Sequence, residues 1–306
     1  MIRFRTALLP LAVAGAVLLS PARPAAWGFA AHRFIAEKAI DLLPAEIRPF
    51  FQKHRGFIVE HAIDPDLWRT AGWVEEPPQH FLDMDAFGPA PFDALPHERD
   101  QAIAKFGRDM VQKNGQLPWR VDEMYGKLVK AFADVKADRG YARDNVTFLS
   151  AVMAHYIGDA HVPFHAVMNY DGQLTNQAGL HARFEAETFE RYRTRLKIKP
   201  VPIAIGKTPR EFVFDTLVVS ASLVPPILDA DRDAIGSRDV YDRAYYETFF
   251  GRVRPTMERR LSEAIAATAA VITKAWEEGG KPAMADTPRP ERRRRPAAPA
   301  PAPPQP

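Results

Sequence analysis

The stretch DNVTFLSAVMAHYIGDAHVPFHA (144–166) sets three histidines and Asp159 into an apolar run of helix length. Residues 144–160 carry the spacing of a helix. His155 and Asp159 stand four apart in it, so they share one face. Pro163 should disturb the helix and leave His165 at its end, able to turn back toward the same region. The chain has only nine histidines and no cysteine. The crowding is either a polar helix face with the turn after it, or part of a metal site. Without thiolates, any metal must be held by imidazole, carboxylate or backbone groups, a set that suits zinc or another divalent ion.

Working outward, the middle of the chain reads as helices with irregular connections. HRFIAEKAIDLL (32–43) places Ile35, Ala39, Ile40 and Leu43 at helical spacing, and 98–112 and 121–137 repeat the pattern. Further helices are expected over 181–196 and 209–224, with a long one from about Val253 to Glu278. In that last helix Met257, Leu261, Ile265, Ala269, Ile272 and Trp276 form one stripe. No alternating strands and no internal repeat are visible. The expected class is all-α, a single multi-helix bundle-like domain over 27–279.

The two ends are different. Residues 1–26 read as a signal peptide, with Arg3 and Arg5 before an apolar run from Ala7 to Leu19 that is short for a bilayer span. Cleavage after Ala22 fits the small-x-small rule, whereas cleavage after Ala26 leaves Trp27 as the new N-terminus. A secreted or periplasmic protein is expected. Residues 280–306 form a Pro/Ala/Arg-rich tail with Arg292–Arg295, of a composition that reads as disordered. The chain's formal charge is +3. Arg3, Arg5 and Arg23 at one end, and Lys281, Arg289 and Arg292–Arg295 against Asp286 and Glu291 at the other, exceed that total. The middle is therefore mildly acidic, which argues against a surface built to grip duplex nucleic acid.

His181 and Glu185 make a second pair four apart. Two such pairs on neighbouring helices, with His165 between them, can face each other across a bundle. Upstream lie WGFAAH (27–32), AIDPDLWR (62–69) and QHFLD (79–83). The order W-x4-H, D, HF-x-D, H-x3-D-x5-H, H-x3-E resembles the superfamily of zinc-dependent phospholipase C and zinc single-strand nucleases. HYIGDAHVPFHA and GLHARFE are its most specific parts, and the resemblance runs from Trp27 to the last helix.

The resemblance implies an all-α phosphodiesterase with three zinc ions. Asp66, His80, His155 and Asp159 would hold one. His165, His181 and Glu185 would hold a second. Trp27, through its free amine and carbonyl, would hold the third with His32 and the bridging Asp159, which favours cleavage after Ala26. Three divalent ions outweigh three carboxylates, so the site would attract a phosphodiester without a basic surface. Asp66 would also orient or deprotonate the nucleophile. Asp64 competes with Asp66. The gap to His80 is 14 residues from Asp66 and 16 from Asp64, and the shorter gap fits the superfamily better.

Substrate signals are mixed. The Trp27-to-His32 step is nuclease-like, whereas Glu185, GLHARFE and the short 165–181 loop are phospholipase-like. Phe81 and Asp83 do not discriminate. The expected function is a secreted zinc phosphodiesterase acting on phospholipid head groups. Alternatives are a single-strand nuclease and a non-catalytic zinc-binding surface protein, and no stable protein partner is inferred. An HD phosphohydrolase would need an adjacent His-Asp pair and a di-iron bundle Glu-x-x-His, both absent from the sequence. His161 is left as a solvated, supporting or substrate-contacting histidine.

Overall fold

A computed structural model describes residues 28–284. The described part is all-α, with no strand and one isolated bridge between Leu82 and Gly115. The signal-peptide and Trp27 expectations, and most of the tail, lie outside the described residues.

Helix α1 (Phe29–Asp41) is followed by short helices α2 (Arg48–Lys53), α3 (Arg55–His61) and α4 (Asp64–Thr70). After two 3-10 turns come α5 (Arg99–Phe106), α6 (Arg108–Lys113), α7 (Leu117–Lys136) and α8 (Ala142–Ala160). Helices α7 and α8 form a hairpin whose long faces pack together, and α13 (Arg243–Glu278) packs across both and against α1. Helix α11 (Pro209–Ser222) lies on α7 and on the 3-10 turn Pro163–Ala166, and α12 (Val224–Ile235) lies on α13.

Helix α8 is the axis of the fold. Every residue from Ser150 to Ala160 is buried. A helix enclosed on all sides must satisfy any polar group it carries from within the protein. Its C-terminal carbonyls are met by Arg260 of α13, which is only 2% exposed. Its Nε donates to the His161 carbonyl at 3.0 Å, and its Nη2 to Ser220 Oγ at 2.7 Å. Ser220 Oγ in turn donates to the Ala160 carbonyl at 2.7 Å. A guanidinium at a helix C-terminus also complements the helix dipole.

Three boundaries differ from the periodicity reading. The 98–112 helix is two helices, because Gly107 adopts φ 86° between them. Helix α13 begins ten residues before Val253 and runs through Pro255. Buried Tyr245, Tyr246, Phe249 and Phe250 extend the stripe upstream, and the Asp242 side chain accepts from the Tyr245 N–H at 2.8 Å. Helix α12 lies outside the helices expected from periodicity; Pro225 and Pro226 occupy its first turn, where no N–H is needed.

Arg260→Ala should destabilise the fold by about 2–4 kcal/mol, since it strips buried carbonyls of a charged donor. Urea unfolding of the metal-free protein measures this, and a loss near zero would contradict the clamp.

Candidate metal centre

Six of the residues that the sequence singles out come from five separate segments and gather around Asp159. His32 is on α1, Asp66 on α4, His80 ends a 3-10 turn, His155 and Asp159 are on α8, and His165 lies in the 3-10 turn after it. All six are buried. Asp159 Oδ2 lies 3.0 Å from His80 Nδ1 and 3.3 Å from His155 Nε2. Its Oδ1 lies 3.3 Å from His32 Nε2 and 3.9 Å from His165 Nδ1.

Backbone carbonyls select the tautomers. His155 Nδ1–H donates to the Ala62 carbonyl at 2.9 Å, which points Nε2, the atom a metal would take, toward His80 and Asp159. His165 Nδ1–H donates to the His80 carbonyl at 2.5 Å. A second nitrogen fixed in this way is how proteins orient metal-binding imidazoles. The His32 ring stacks on that of His155 with centroids 4.0 Å apart. Gly158 allows this approach, because a Cβ there would stand 3.1 Å from His32 Nδ1.

Two triads of donor atoms form around Asp159's end of α8, His32–Asp66–His155 and His80–His155–Asp159. A third, His165–His181–Glu185, adjoins them, with the His165 and His181 ring centroids 5.1 Å apart. Within each triad the donor atoms lie within 4.8 Å of one another. His181 Nε2 and Glu185 Oε2 are 2.9 Å apart. Their segment is not the plain α-helix expected over 181–196. Helix α9 (Leu180–Ala182) passes into a π-helical turn, Arg183–Glu187, and then α10 (Thr188–Tyr192). Thr188 Oγ1 donates to the Arg183 carbonyl at 2.5 Å inside that turn. π turns of this kind often mark functional positions. Gly28, at the start of the described chain, packs against Ala186 in the same turn; a Cβ on Gly28 would stand 2.7 Å from Ala186 Cβ.

The structure separates the two candidate aspartates. Asp66 is buried and joins the centre, whereas Asp64 pairs with His61 at 2.7 Å and is not brought into it. Neither carboxylate oxygen of Asp66 accepts a hydrogen bond, although Arg69 Nη2 approaches Oδ1 to 3.6 Å. A buried carboxylate without donors is costly alone and is what a cation would satisfy.

Electrostatics agree. Burial alone would raise the Asp159 pKa, but the charge and hydrogen bond of His155, with hydrogen bonds from His32 and His80, hold it well below its usual value. Burial lowers His32, and it lowers His165 to about 3, keeping both imidazoles neutral as ligation requires. For His80, burial is overcome by hydrogen bonds to Asp159 and Glu76, and its pKa is raised to about 9. His161 is a separate case. It is buried beside the centre, its Nδ1 donates to the Ile157 carbonyl at 2.7 Å, and burial with the Arg260 charge pushes its pKa well down.

One group escaped the sequence reading. Glu76 is buried beside His80, with Oε1 3.5 Å from His80 Nε2. Tyr156 donates its hydroxyl to Glu76 Oε1, and Arg120 donates to Glu76 Oε2 at 3.3 Å. This carboxylate turns His80 so that Nδ1 faces the centre. Glu76 precedes His80 by four residues, the reverse of the His-to-carboxylate order in the His155–Asp159 and His181–Glu185 pairs. Together the buried His, Asp and Glu groups could hold a metal ion.

Glu76→Gln should weaken metal binding about 10–100-fold, as loss of an outer carboxylate does elsewhere; competition with a chromogenic chelator measures it. In the metal-free protein His80 keeps a proton below about pH 9. Metal uptake at neutral pH should therefore release a proton there, and affinity should rise with pH until that point. Calorimetry in buffers of differing ionisation enthalpy would show no release if His80 were already neutral. No protein-family model matches the chain, and no curated protein matches it.

Proposed function

We propose that the chain is a secreted zinc-dependent phosphodiesterase that hydrolyses phospholipid head-group esters. The observation that carries this reading is the buried convergence of His32, Asp66, His80, His155 and Asp159 beside His165, His181 and Glu185. Nitrogen and oxygen donors without thiolate suit zinc held for catalysis. The resemblance in motif order supports three ions, with Trp27 completing the set after cleavage at Ala26. Bound zinc would supply Lewis acidity and lower the pKa of a water from about 15.7 toward about 7.

The chain's own residues do the rest. Asp66, whose oxygens accept no hydrogen bond, takes the proton of the attacking water. Arg69, partly exposed and 3.6 Å from Asp66, stands at the boundary between centre and surface and binds the phosphodiester anion. Asp159 holds the histidines in register, and Glu76 fixes His80. The water oxygen bonds to phosphorus, the bond to the leaving alcohol breaks, and a phosphomonoester and an alcohol result.

Lipid is favoured by what surrounds Asp66. Leu67 is 41% exposed, Trp73 56% and Val74 77%, and Trp73 stacks on Trp68 with centroids 5.3 Å apart. A Trp with exposed aliphatic neighbours suits a lipid–water boundary. The same Trp68–Trp73 stack favours a second reading, since an exposed aromatic face also accepts an unpaired base.

The zinc-loaded chain beginning at Trp27 should release diacylglycerol from phosphatidylcholine vesicles, and a chelator or Asp159→Asn should abolish this. Trp73→Ala should lower turnover on vesicles about tenfold, equivalent to about 1.4 kcal/mol of lost burial, and spare a short-chain monomeric substrate. Chelator-sensitive cleavage of single-stranded DNA alone would replace lipid by nucleic acid. Turnover of neither would remove the enzymatic reading.

A further inference from the structure

A cavity of about 680 Å³ lies on the other side of α8's end, and none of the metal-centre residues lines it. Its walls are α11, α13 and the connection 196–206. That connection is held to α13 by the Lys197 N–H on Glu258 at 2.8 Å and the Lys199 N–H on Ser262 at 3.0 Å. The volume is in the usual range for a small-molecule site.

Three features define its chemistry. Phe212 and Val219 of α11, Ala266 of α13 and Ile203 of the connection make an apolar wall. Lys197 and Lys199 are exposed at the rim and have no ion pair among the described residues. The lining acids are engaged elsewhere. Glu263 pairs with Arg259 and Arg260, Asp215 with Lys207, and Glu258 accepts the Lys197 N–H. The third feature is His161, which is 2% exposed and lines the cavity. Its Nδ1–H is spent on the Ile157 carbonyl, so Nε2 is an acceptor, and it has no hydrogen-bond partner among the described residues. An acceptor on the wall of a cavity can take a hydrogen bond from a ligand that brings a donor.

We propose that this cavity binds a hydroxylated fatty acid. The carboxylate pairs with Lys197 and Lys199 at the rim, the chain lies along Phe212 and Val219, and a hydroxyl remote from the carboxylate donates to His161 Nε2. The inference does not depend on the metal reading, because it rests on different residues and is tested by binding.

Calorimetry on the folded chain would use 12-hydroxydodecanoate and dodecanoate as probes. The hydroxy acid should bind saturably and about tenfold more tightly, since its hydroxyl adds a hydrogen bond to His161 that dodecanoate lacks. His161→Phe should erase that preference while retaining dodecanoate binding. Val219→Trp should occlude the wall and abolish binding of both, with the circular dichroism spectrum unchanged. Lys197→Ala with Lys199→Ala should weaken the hydroxy acid at least tenfold but leave dodecane-1,12-diol unaffected. Absence of saturable binding, equal affinity for the two probes, or binding indifferent to Val219→Trp would each overturn the proposal.

Discussion

A carboxylate with no exposure, Asp159, sits in the middle of this protein and has to stay charged there. An isolated buried anion is prohibitively costly, so the surrounding chain must answer it with positive charge, donors or a bound cation. His32, His80 and His155 do so, with His165 3.9 Å away, and each arrives on a different segment or turn: His32 from α1, His80 from a 3-10 turn, His155 from α8 itself and His165 from the turn beyond it. The close packing of α1, the 76–83 turn and α8 is thus tied to one side chain. Remove its charge and the reason for these elements to meet is lost, along with the donors they bring.

The outer parts of the structure keep that arrangement in place. Arg260 and Ser220 meet the carbonyls of His161 and Ala160 at the end of α8, directly after Asp159. Glu76, held by Tyr156 and Arg120, fixes the far side of His80. Backbone carbonyls of Ala62 and His80 choose the tautomers of His155 and His165. The π turn at Arg183–Glu187 sets the pitch between His181 and Glu185. Each device is ordinary in isolation. Together they hold lone pairs and carboxylate oxygens of several elements inward in a water-poor interior, an arrangement that favours a metal over a solvated polar face.

The sequence makes some of this readable and hides the rest for definable reasons. The His155–Asp159 and His181–Glu185 pairs are local, and helical spacing alone puts each pair on one face. The all-α class follows from the same periodicity and is what the structure shows. The gap to His80 favours Asp66 over Asp64, but both open α4 and helical spacing does not separate them. Only tertiary packing turns Asp66 inward and leaves Asp64 with His61. Glu76, Tyr156 and Arg120 come from three elements far apart in the chain, and no local pattern joins them. Gly158 reads as a weak helical residue, yet its missing Cβ is what admits the His32 ring. Arg260 interrupts no apolar stripe and reads as a solvent-facing charge, although it is buried on the end of α8.

The central claim is that this buried set exists to hold metal. Diffraction at the zinc absorption edge, from crystals of the chain beginning at Trp27 and grown with zinc, tests it most directly. The account predicts anomalous peaks among His32, Asp66, His80, His155 and Asp159, and beside His165, His181 and Glu185. A map with no peak there, or with peaks only at surface carboxylates, would contradict it.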